Sequence, residues 1–180
     1  MRLFFALWPD ALSRTRLAEA AAVLRLGSAA RPVPPQNYHL TLAFIGEVTK
    51  SQVALLQQIG RAQRASGCTI CIDAFEYWTE AQLVVAVARE PPPALALLWR
   101  QLREDLAPHH AALNLSRRQP PLRAHVTLAR KVAQAPVLQA MSPLCWSARS
   151  FSLVRSDTSG AHAVYTVVDT WPLLDECLKA

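Results

Sequence analysis

The sequence predicts a duplicated α+β fold, with two lobes related by a pseudo-two-fold axis and a groove between them. Two observations lead to this prediction. The motif His-x-Thr-Leu-Ala occurs twice, in HLTLAF from His39 and in HVTLAR from His125. Each copy also follows the same order of a short apolar strand, a helix entered near proline and a proline-rich loop. The order of the strands alone leaves their pairing open.

The first half of the chain contains two predicted strands and two predicted helices. The apolar run Arg2 to Trp8 predicts a strand, and apolar residues on one face predict a helix from Asp10 to Gly27. A proline-stiffened loop then leads into a strand from Tyr38 to Ile45. Thr49 to Gln52 resembles a capping box and predicts the start of the second helix.

The second half repeats this order and adds further strands. CTICIDAFEYW and QLVVAVA are predicted strands on either side of a turn near Thr79 to Ala81. Prolines 91 to 93 open a predicted helix that Pro108 closes. A basic loop leads into HVTLAR, and ARSFSLVRS and HAVYTVVDTW predict a final hairpin across Ser156 to Ala161.

The composition indicates a soluble globular protein with an anionic partner. Hydrophobic residues make up 52% of the 180 residues and charged residues 18%, and no apolar run approaches the ~20 residues of a membrane-spanning helix. The net charge is +6. Basic residues cluster just before and at the second motif, where arginine suits phosphate recognition: Arg100, Arg103, Arg117, Arg118, Arg123, Arg130 and Lys131. GC-rich coding would also raise the arginine content, so only the clustering is informative.

The four cysteines are predicted to be reduced thiols in a cytoplasmic protein. Cys68 and Cys71 have the spacing of half a zinc ribbon, but residues three apart on a strand face opposite ways. Cys145 and Cys177 lie far from them in sequence. The N-terminal apolar run is too short for a signal peptide and lacks a small-residue cleavage site. We therefore expect a cytoplasmic protein that does not associate with membranes.

The two motifs place an imidazole and a hydroxyl side by side on each of two strands. Because strand side chains alternate, His39 and Thr41 share one face, while the intervening apolar residues point to the core. His125 and Thr127 have the same arrangement. If the two polar faces oppose each other across the groove, they supply two imidazoles and two hydroxyls in basic surroundings.

Such a set of groups suits acid–base cleavage of a phosphodiester. One neutral imidazole can accept a proton from an attacking water or hydroxyl, while the other, protonated, donates a proton to the leaving oxygen. Threonine hydroxyls and arginine side chains can hold the non-bridging oxygens as charge develops on them. We expect no metal or other cofactor.

The residues alone leave other interpretations open. A single His-x-Thr on a strand is often only a hydrogen-bonded structural position, although a structural duplication has no need to keep both His and Thr. Imidazoles also bind Zn²⁺, but neither motif has a carboxylate at ligand spacing. A non-catalytic module that binds RNA ends or phosphate is a further alternative. Of the remaining histidines, His109 and His110 follow the end of a predicted helix, where a positive charge is favourable, and His162 is expected at the surface.

Several stretches resemble the bacterial RNA 2′,3′-cyclic phosphodiesterases, also called 2′-5′ RNA ligases, of the 2H phosphoesterase superfamily. They are RLFFAL, HLTLAFIGEV, HVTLAR and the closing FSLVRS…YTVVDTW, and the resemblance extends from Arg2 to about Trp171. It implies a single domain over residues 1–180 made of two pseudo-symmetric lobes, with HxTx motifs at 39–42 and 125–128. It further implies two antiparallel sheets lining a central cleft, with the helices outside.

The same resemblance implies an activity and roles for the motif residues. The activity is hydrolysis of RNA 2′,3′-cyclic phosphate ends to 2′-phosphomonoesters, with reversible 2′-5′ RNA ligation in some members. His39 would donate a proton to the leaving 3′ oxygen, and His125 would accept one from water. Thr41 and Thr127 would bind the phosphate. Small cyclic nucleotides and 2′-5′ oligonucleotides are alternative substrates, and tRNA fragments are candidate RNAs.

Three residues beside the motifs are further candidates. Arg130 closes the second motif and is expected to bind phosphate. Tyr38 and Phe44 flank the first motif, where an aromatic ring could stack on a base. On an ideal strand both would face the core, and we expect them there. We also expect a monomer, because the duplication already supplies the symmetry of a dimer.

Overall fold

The computed structural model describes residues 1–115, 121–159 and 163–175, and it confirms the α+β class. Within these residues, two antiparallel sheets are packed with three helices. The strands are β1 (Arg2–Leu7), β2 (Arg31–Pro32), β3 (Leu40–Glu47), β4 (Cys68–Ile72), β5 (Ala74–Trp78), β6 (Leu83–Val87), β7 (His125–Arg130), β8 (Leu144–Ala148), β9 (Ser150–Asp157) and β10 (Val164–Pro172). The helices are α1 (Ala11–Ala22), α2 (Lys50–Ala62) and α3 (Pro93–Leu106).

The larger sheet joins the strands of the two motifs at its centre. Its order is β10-β9-β1-β3-β7-β6-β5, with β2 also paired to β7. β3 and β7 meet at one pair, Leu40 opposite Val126. These residues are the middle positions of the two His-x-Thr motifs, so the motifs lie side by side and antiparallel.

One face of the larger sheet is apolar and is covered by the helices. Leu40 and Val126 are fully buried there, in one hydrophobic cluster with leucines from all three helices: Leu17, Leu56, Leu95, Leu98, Leu102 and Leu106. Burying a leucine side chain contributes roughly 1.5–3 kcal/mol, so this layer holds β3 and β7 rigidly. The alternation of side chains then leaves the opposite face to the histidines and threonines of the motifs.

The helices begin where the sequence signals predict. The Asp10 carboxylate accepts a hydrogen bond from the backbone N–H of Ser13 at 2.8 Å, which caps α1. Thr49 and Gln52 form the predicted capping box of α2, in which the Thr49 backbone N–H donates to the Gln52 side chain at 2.7 Å. α3 begins at Pro93, as its prolines indicate.

The second sheet corrects the prediction for the cysteines. β4 pairs with β8, a strand that the sequence analysis did not predict, and Cys71 lies opposite Cys145 with the Cα atoms 4.1 Å apart. The two residues form a disulfide. The expectation of reduced thiols is wrong for this pair, because strand pairing brings together two cysteines that are far apart in sequence. Cys68 is buried, and Cys177 lies outside the described residues.

The last two predicted strands are confirmed as β9 and β10, which pair antiparallel. Residues 160–162, which include His162, lie outside the described residues, as do Arg117 and Arg118. None of the described helices is both long enough and apolar enough to cross a membrane.

Candidate active site

The pairing of β3 with β7 brings each histidine beside the threonine of the other motif. In the antiparallel register set by Leu40 and Val126, His39 comes opposite Thr127, and Thr41 comes opposite His125. Opposed side chains on one face of such a pair are close neighbours. All four sequence-predicted residues are therefore on one surface, and Thr41 and His125 line a common cleft.

Both imidazoles are anchored in the same way. Nδ1 of His39 lies 2.6 Å from the carbonyl oxygen of Asn37, and Nδ1 of His125 lies 2.5 Å from the carbonyl oxygen of Arg123. A carbonyl can only accept, so each Nδ1 carries a proton and donates it. The neutral ring then has its lone pair on Nε2, which is the atom available to take up or release a proton.

Three aromatic rings surround His39. The ring centroids of Phe4, Trp8 and Tyr165 lie 4.8, 5.5 and 5.1 Å from that of His39, with Tyr165 edge-on. The pKa of His39 is lowered from 6.5 to about 4, chiefly by burial. The hydrogen bond to the Asn37 carbonyl opposes this lowering, while the charge of Arg130 and that of protonated His125 contribute to it. In the free protein at neutral pH, His39 is therefore neutral.

His125 has a more charged neighbourhood. Its ring lies 4.4 Å from that of Trp78. Burial is the main cause of its lowered pKa, and the charges of Arg123 and Arg130 act in the same direction. The hydrogen bond to the Arg123 carbonyl and the negative charge of Glu76 oppose this lowering. The two histidines thus have the same kind of anchor but different surroundings.

The lowered pKa of His39 predicts a loss of stability in mild acid. Between pH 6.5 and about 4 the unfolded chain binds a proton that the folded protein excludes, so the free energy of unfolding falls as the pH falls. From pH 7 to pH 4.5 we expect wild type to lose about 2 kcal/mol more than a His39→Gln variant does. Urea unfolding at both pH values measures this difference.

A His109→Gln variant is the matched control for this prediction, because His109 follows α3 and does not line the cleft. It should have the pH dependence of wild type. If wild type and His39→Gln lose the same free energy of unfolding between the two pH values, His39 is not held neutral by burial.

A bulge at the same place in each motif strand redirects the residues that follow. Opposite β1, Leu42 is skipped between Thr41 and Ala43, and opposite β6, Leu128 is skipped between Thr127 and Ala129. A bulge shifts the alternation of side chains by one position. The residue that ends each six-residue motif, Phe44 or Arg130, therefore turns from the core side to the side of the histidines.

The bulges explain two outcomes. Phe44 is 54% exposed and lines the cleft, so the expectation that it faces the core is wrong. Tyr38, which precedes the bulge, is buried as expected. Arg130 is exposed, and its charge acts on both imidazoles. Arg130 and Phe44 thus occupy corresponding positions at the two ends of the histidine and threonine surface.

The cleft beside these residues has a volume of about 740 Å³ and is lined largely by apolar and aromatic groups. Phe44, Trp78 and Trp99 contribute aromatic side chains, while Thr41, Glu47, Arg123 and His125 contribute polar ones. Within residues 1–115, 121–159 and 163–175, no cluster of three or more His, Cys, Asp or Glu side chains could hold a metal ion. The cleft can therefore offer proton transfer, hydrogen bonds, positive charge and stacking surfaces.

Comparison with known proteins identifies the family. A model described as the 2′-5′ RNA ligase superfamily matches residues 8–160, which include both motifs. The chain belongs to this superfamily. The RNA 2′,3′-cyclic phosphodiesterase of Escherichia coli (strain K12) is 31% identical over 174 residues, covering 96% of each chain. The protein of the same name from Thermus thermophilus is 30% identical over 184 residues, covering 98% of this chain and 92% of the relative.

The fold of this chain is also similar to that of a solved structure. The crystal structure of E. coli LigT complexed with 3′-AMP has a TM-score of 0.82 and 29% sequence identity, covering 96% of this chain and 98% of the other. The resemblance to this family noted from the sequence is therefore confirmed.

Sequence reasoning missed three residues in the surroundings of His125, of which Trp78 and Arg123 line the cleft. Glu76, Trp78 and Arg123 lie near His125, but they were singled out only as parts of a strand and of a basic loop. Their contacts depend on the pairing of β5, β6 and β7. One local signal was available, since Glu76 and Trp78 are two residues apart and so share a face of one strand.

Proposed function

We propose that the protein hydrolyses RNA 2′,3′-cyclic phosphate ends to 2′-phosphomonoesters by acid–base catalysis with two histidines. The observation that carries the proposal is the antiparallel placement of the motifs. Each imidazole is anchored through Nδ1, and each comes opposite the threonine of the other motif. The names of the two bacterial relatives support the choice of substrate.

In the proposed reaction, Nε2 of His125 accepts a proton from a water molecule as the water oxygen attacks phosphorus. The bond from phosphorus to the 3′ oxygen breaks, and protonated His39 donates its Nε2 proton to that oxygen. The product has a 2′-phosphate and a free 3′-hydroxyl. The proton gained by His125 and the proton lost by His39 balance, and each transfer contributes about 10²- to 10⁴-fold in rate.

The pKa of His39 is compatible with the role of proton donor. In the free protein, a pKa of about 4 makes its imidazolium a stronger acid than an ordinary imidazolium, although little of it is present at neutral pH. A bound phosphodiester anion stabilises the imidazolium and offsets the charge of Arg130, which raises the pKa of His39 in the complex. Substrate binding therefore favours the charge state that the reaction requires.

The remaining groups would hold the substrate in place. The hydroxyls of Thr41 and Thr127 donate hydrogen bonds to the non-bridging oxygens, and Arg130 supplies positive charge as these oxygens become more negative. Phe44 offers an exposed ring on which the terminal base can stack, a contact worth about 1–3 kcal/mol.

The same chemistry extends to 2′-5′ RNA ligation. If the 5′-hydroxyl of a second RNA replaces water as the nucleophile, the product is a 2′-5′ phosphodiester. We place the activity in the cytoplasm, in RNA processing, and in a monomer formed by one domain of two pseudo-symmetric lobes.

The test is the incubation of an oligoribonucleotide ending in a 2′,3′-cyclic phosphate with the protein, with phosphorus NMR of the product. We expect a 2′-phosphomonoester. Cyclic mononucleotides and a 2′-5′-linked dinucleotide are assayed in parallel. The compound with the highest kcat/KM identifies the substrate class. Tight RNA binding with no turnover of any of these compounds would favour a non-catalytic module that binds RNA ends, and would contradict the proposal.

A further inference from the structure

The two imidazoles differ in what packs against their rings. His39 is enclosed by three aromatic rings that belong to β1, its following residue and β10. The described ring contact of His125 is with Trp78, at the end of β5. Apart from its anchor on the Arg123 carbonyl, the described packing of the His125 ring is therefore against one indole.

A single carboxylate oxygen fixes that indole. Oε2 of Glu76 accepts a hydrogen bond from Nε1 of Trp78 at 2.7 Å and another from Nη2 of Arg123 at 2.8 Å. The Arg123 guanidinium also lies over the Trp78 ring, 4.0 Å from its centroid. Glu76 thus ties together the ring that packs against His125 and the residue whose carbonyl anchors Nδ1 of His125.

Stability does not explain this arrangement well. The side chains of Arg123 and Glu76 are 56% and 38% exposed, and ion pairs this exposed contribute about 0–1 kcal/mol. The geometry is nevertheless specific, because one oxygen serves two donors on different segments of the chain. An ion pair that contributes little to folding, but joins the two residues that contact His125, points to a role beside that imidazole.

We infer that Glu76 is a positioning residue, which orients His125 for proton transfer through Trp78 and Arg123. This inference rests on the proposed function, in which His125 accepts the proton of water. The indole limits the tilt of the imidazole, and the Arg123 carbonyl limits its rotation. Glu76 fixes the positions of Trp78 and Arg123 relative to each other. Optimal proton transfer requires Nε2 within hydrogen-bond reach of the nucleophile.

The charge of Glu76 has a second effect on the same imidazole. The charged groups that act on His125 are Arg123 from the preceding loop, Arg130 from β7 and Glu76 from β5, and His39 is the titratable group across the motif pair. The two arginines lower the pKa of His125, and Glu76 raises it. Without Glu76 the two positive charges are unopposed, and His125 becomes a weaker base.

A Glu76→Gln variant separates this role from folding. Glutamine has nearly the same shape and keeps an oxygen that can accept from Trp78, but it lacks the charge. Glu47→Gln is the matched control, because Glu47 lines the same cleft and loses the same charge. A Trp78→Phe variant keeps a ring near His125 and removes the N–H that Glu76 binds.

The first readout is NMR titration of the histidine ring signals in the free proteins. We expect Glu76→Gln to lower the pKa of His125 by about half a unit and to leave that of His39 unchanged, and Glu47→Gln to change neither. An unchanged pKa of His125 in Glu76→Gln, or an equal shift of that pKa in Glu47→Gln, overturns the inference whether or not the protein turns over the substrate.

The second readout is the pH profile of kcat/KM on the cyclic-phosphate oligoribonucleotide. We expect the limb of the bell-shaped profile that reports His125 to move towards acid pH in Glu76→Gln, with kcat about three- to tenfold below wild type and KM nearly unchanged. We expect Trp78→Phe to lower kcat without that movement. If wild type turns over the substrate and the pH profile of Glu76→Gln is unshifted, the inference about Glu76 is overturned and the proposed function still stands. If wild type has no turnover, the proposed function fails, and the titration still decides whether Glu76 controls His125.

Discussion

Replacing either His39 or His125 with alanine is expected to lower kcat for cleavage of a 2′,3′-cyclic phosphate by about 10³-fold or more. Each imidazole transfers one proton in the proposed reaction, and alanine cannot replace it. The RNA affinity should change little, because Thr41, Thr127 and Arg130 remain. Single-turnover rates measured with saturating enzyme report this loss directly, and His109→Ala is the control.

The two roles can be separated with a better leaving group. A phosphodiester that releases p-nitrophenolate does not need a proton donor, because the leaving oxygen is already stable as an anion. His39→Ala should recover most of its lost rate on this compound, whereas His125→Ala should not. The reverse pattern would exchange the roles of donor and acceptor, and recovery of both variants would contradict general acid–base catalysis by this pair.

Replacing Arg130 with glutamine is expected to lower kcat/KM by about 10²-fold, the second-largest effect. Arg130 lies on the histidine side of β7, and its charge acts on both imidazoles, so we expect it to act on a phosphate bound beside them. Loss of this charge removes stabilisation of the transition state. It should also raise the pKa of both histidines, because Arg130 lowers both in the wild type. Arg130→Lys should give an intermediate rate, since it keeps the charge without the planar fork.

Arg155→Gln is the control for this prediction. Arg155 is exposed on β9, away from the cleft, and its loss changes the net charge by the same amount. Its kcat/KM should stay within about twofold of wild type. A change of less than threefold in Arg130→Gln, or an equal change in the control, would show that Arg130 does not bind the phosphate.

The repeat of His-x-Thr was enough to predict the α+β class and to select all four motif residues. The reason is physical, because alternation on a strand fixes which residues share a face from the sequence alone. The helix starts at Asp10 and Thr49 were predictable for a similar reason, since capping depends on residues three apart. Features set by residues close together in sequence could therefore be predicted.

Features set by pairing between distant strands were not predictable in this way. The disulfide between Cys71 and Cys145 depends on the pairing of β4 with β8, and β8 itself was missed. The exposure of Phe44 depends on a bulge that is visible only against β1. A rule based on ideal alternation fails at such a bulge, and it fails at the end of both motifs, where Phe44 and Arg130 turn to the side of the histidines.

The contacts of Glu76 likewise depend on pairing between distant strands. Its spacing from Trp78 is local, but the contact with Arg123 and the approach of Trp78 to His125 come from the packing of β5, β6 and β7. The sequence therefore predicts which groups carry out the proton transfers. The three-dimensional structure is needed to see what orients them.

The central claim is that two imidazoles carry out phosphodiester cleavage. The most direct test is turnover of the cyclic-phosphate oligoribonucleotide in excess EDTA, with wild type, His39→Ala and His125→Ala side by side. We predict that wild type forms the 2′-phosphate at an undiminished rate and that both variants lose this activity. Activity that disappears in EDTA and returns with added metal would contradict the claim, and would reassign the two histidines as metal ligands.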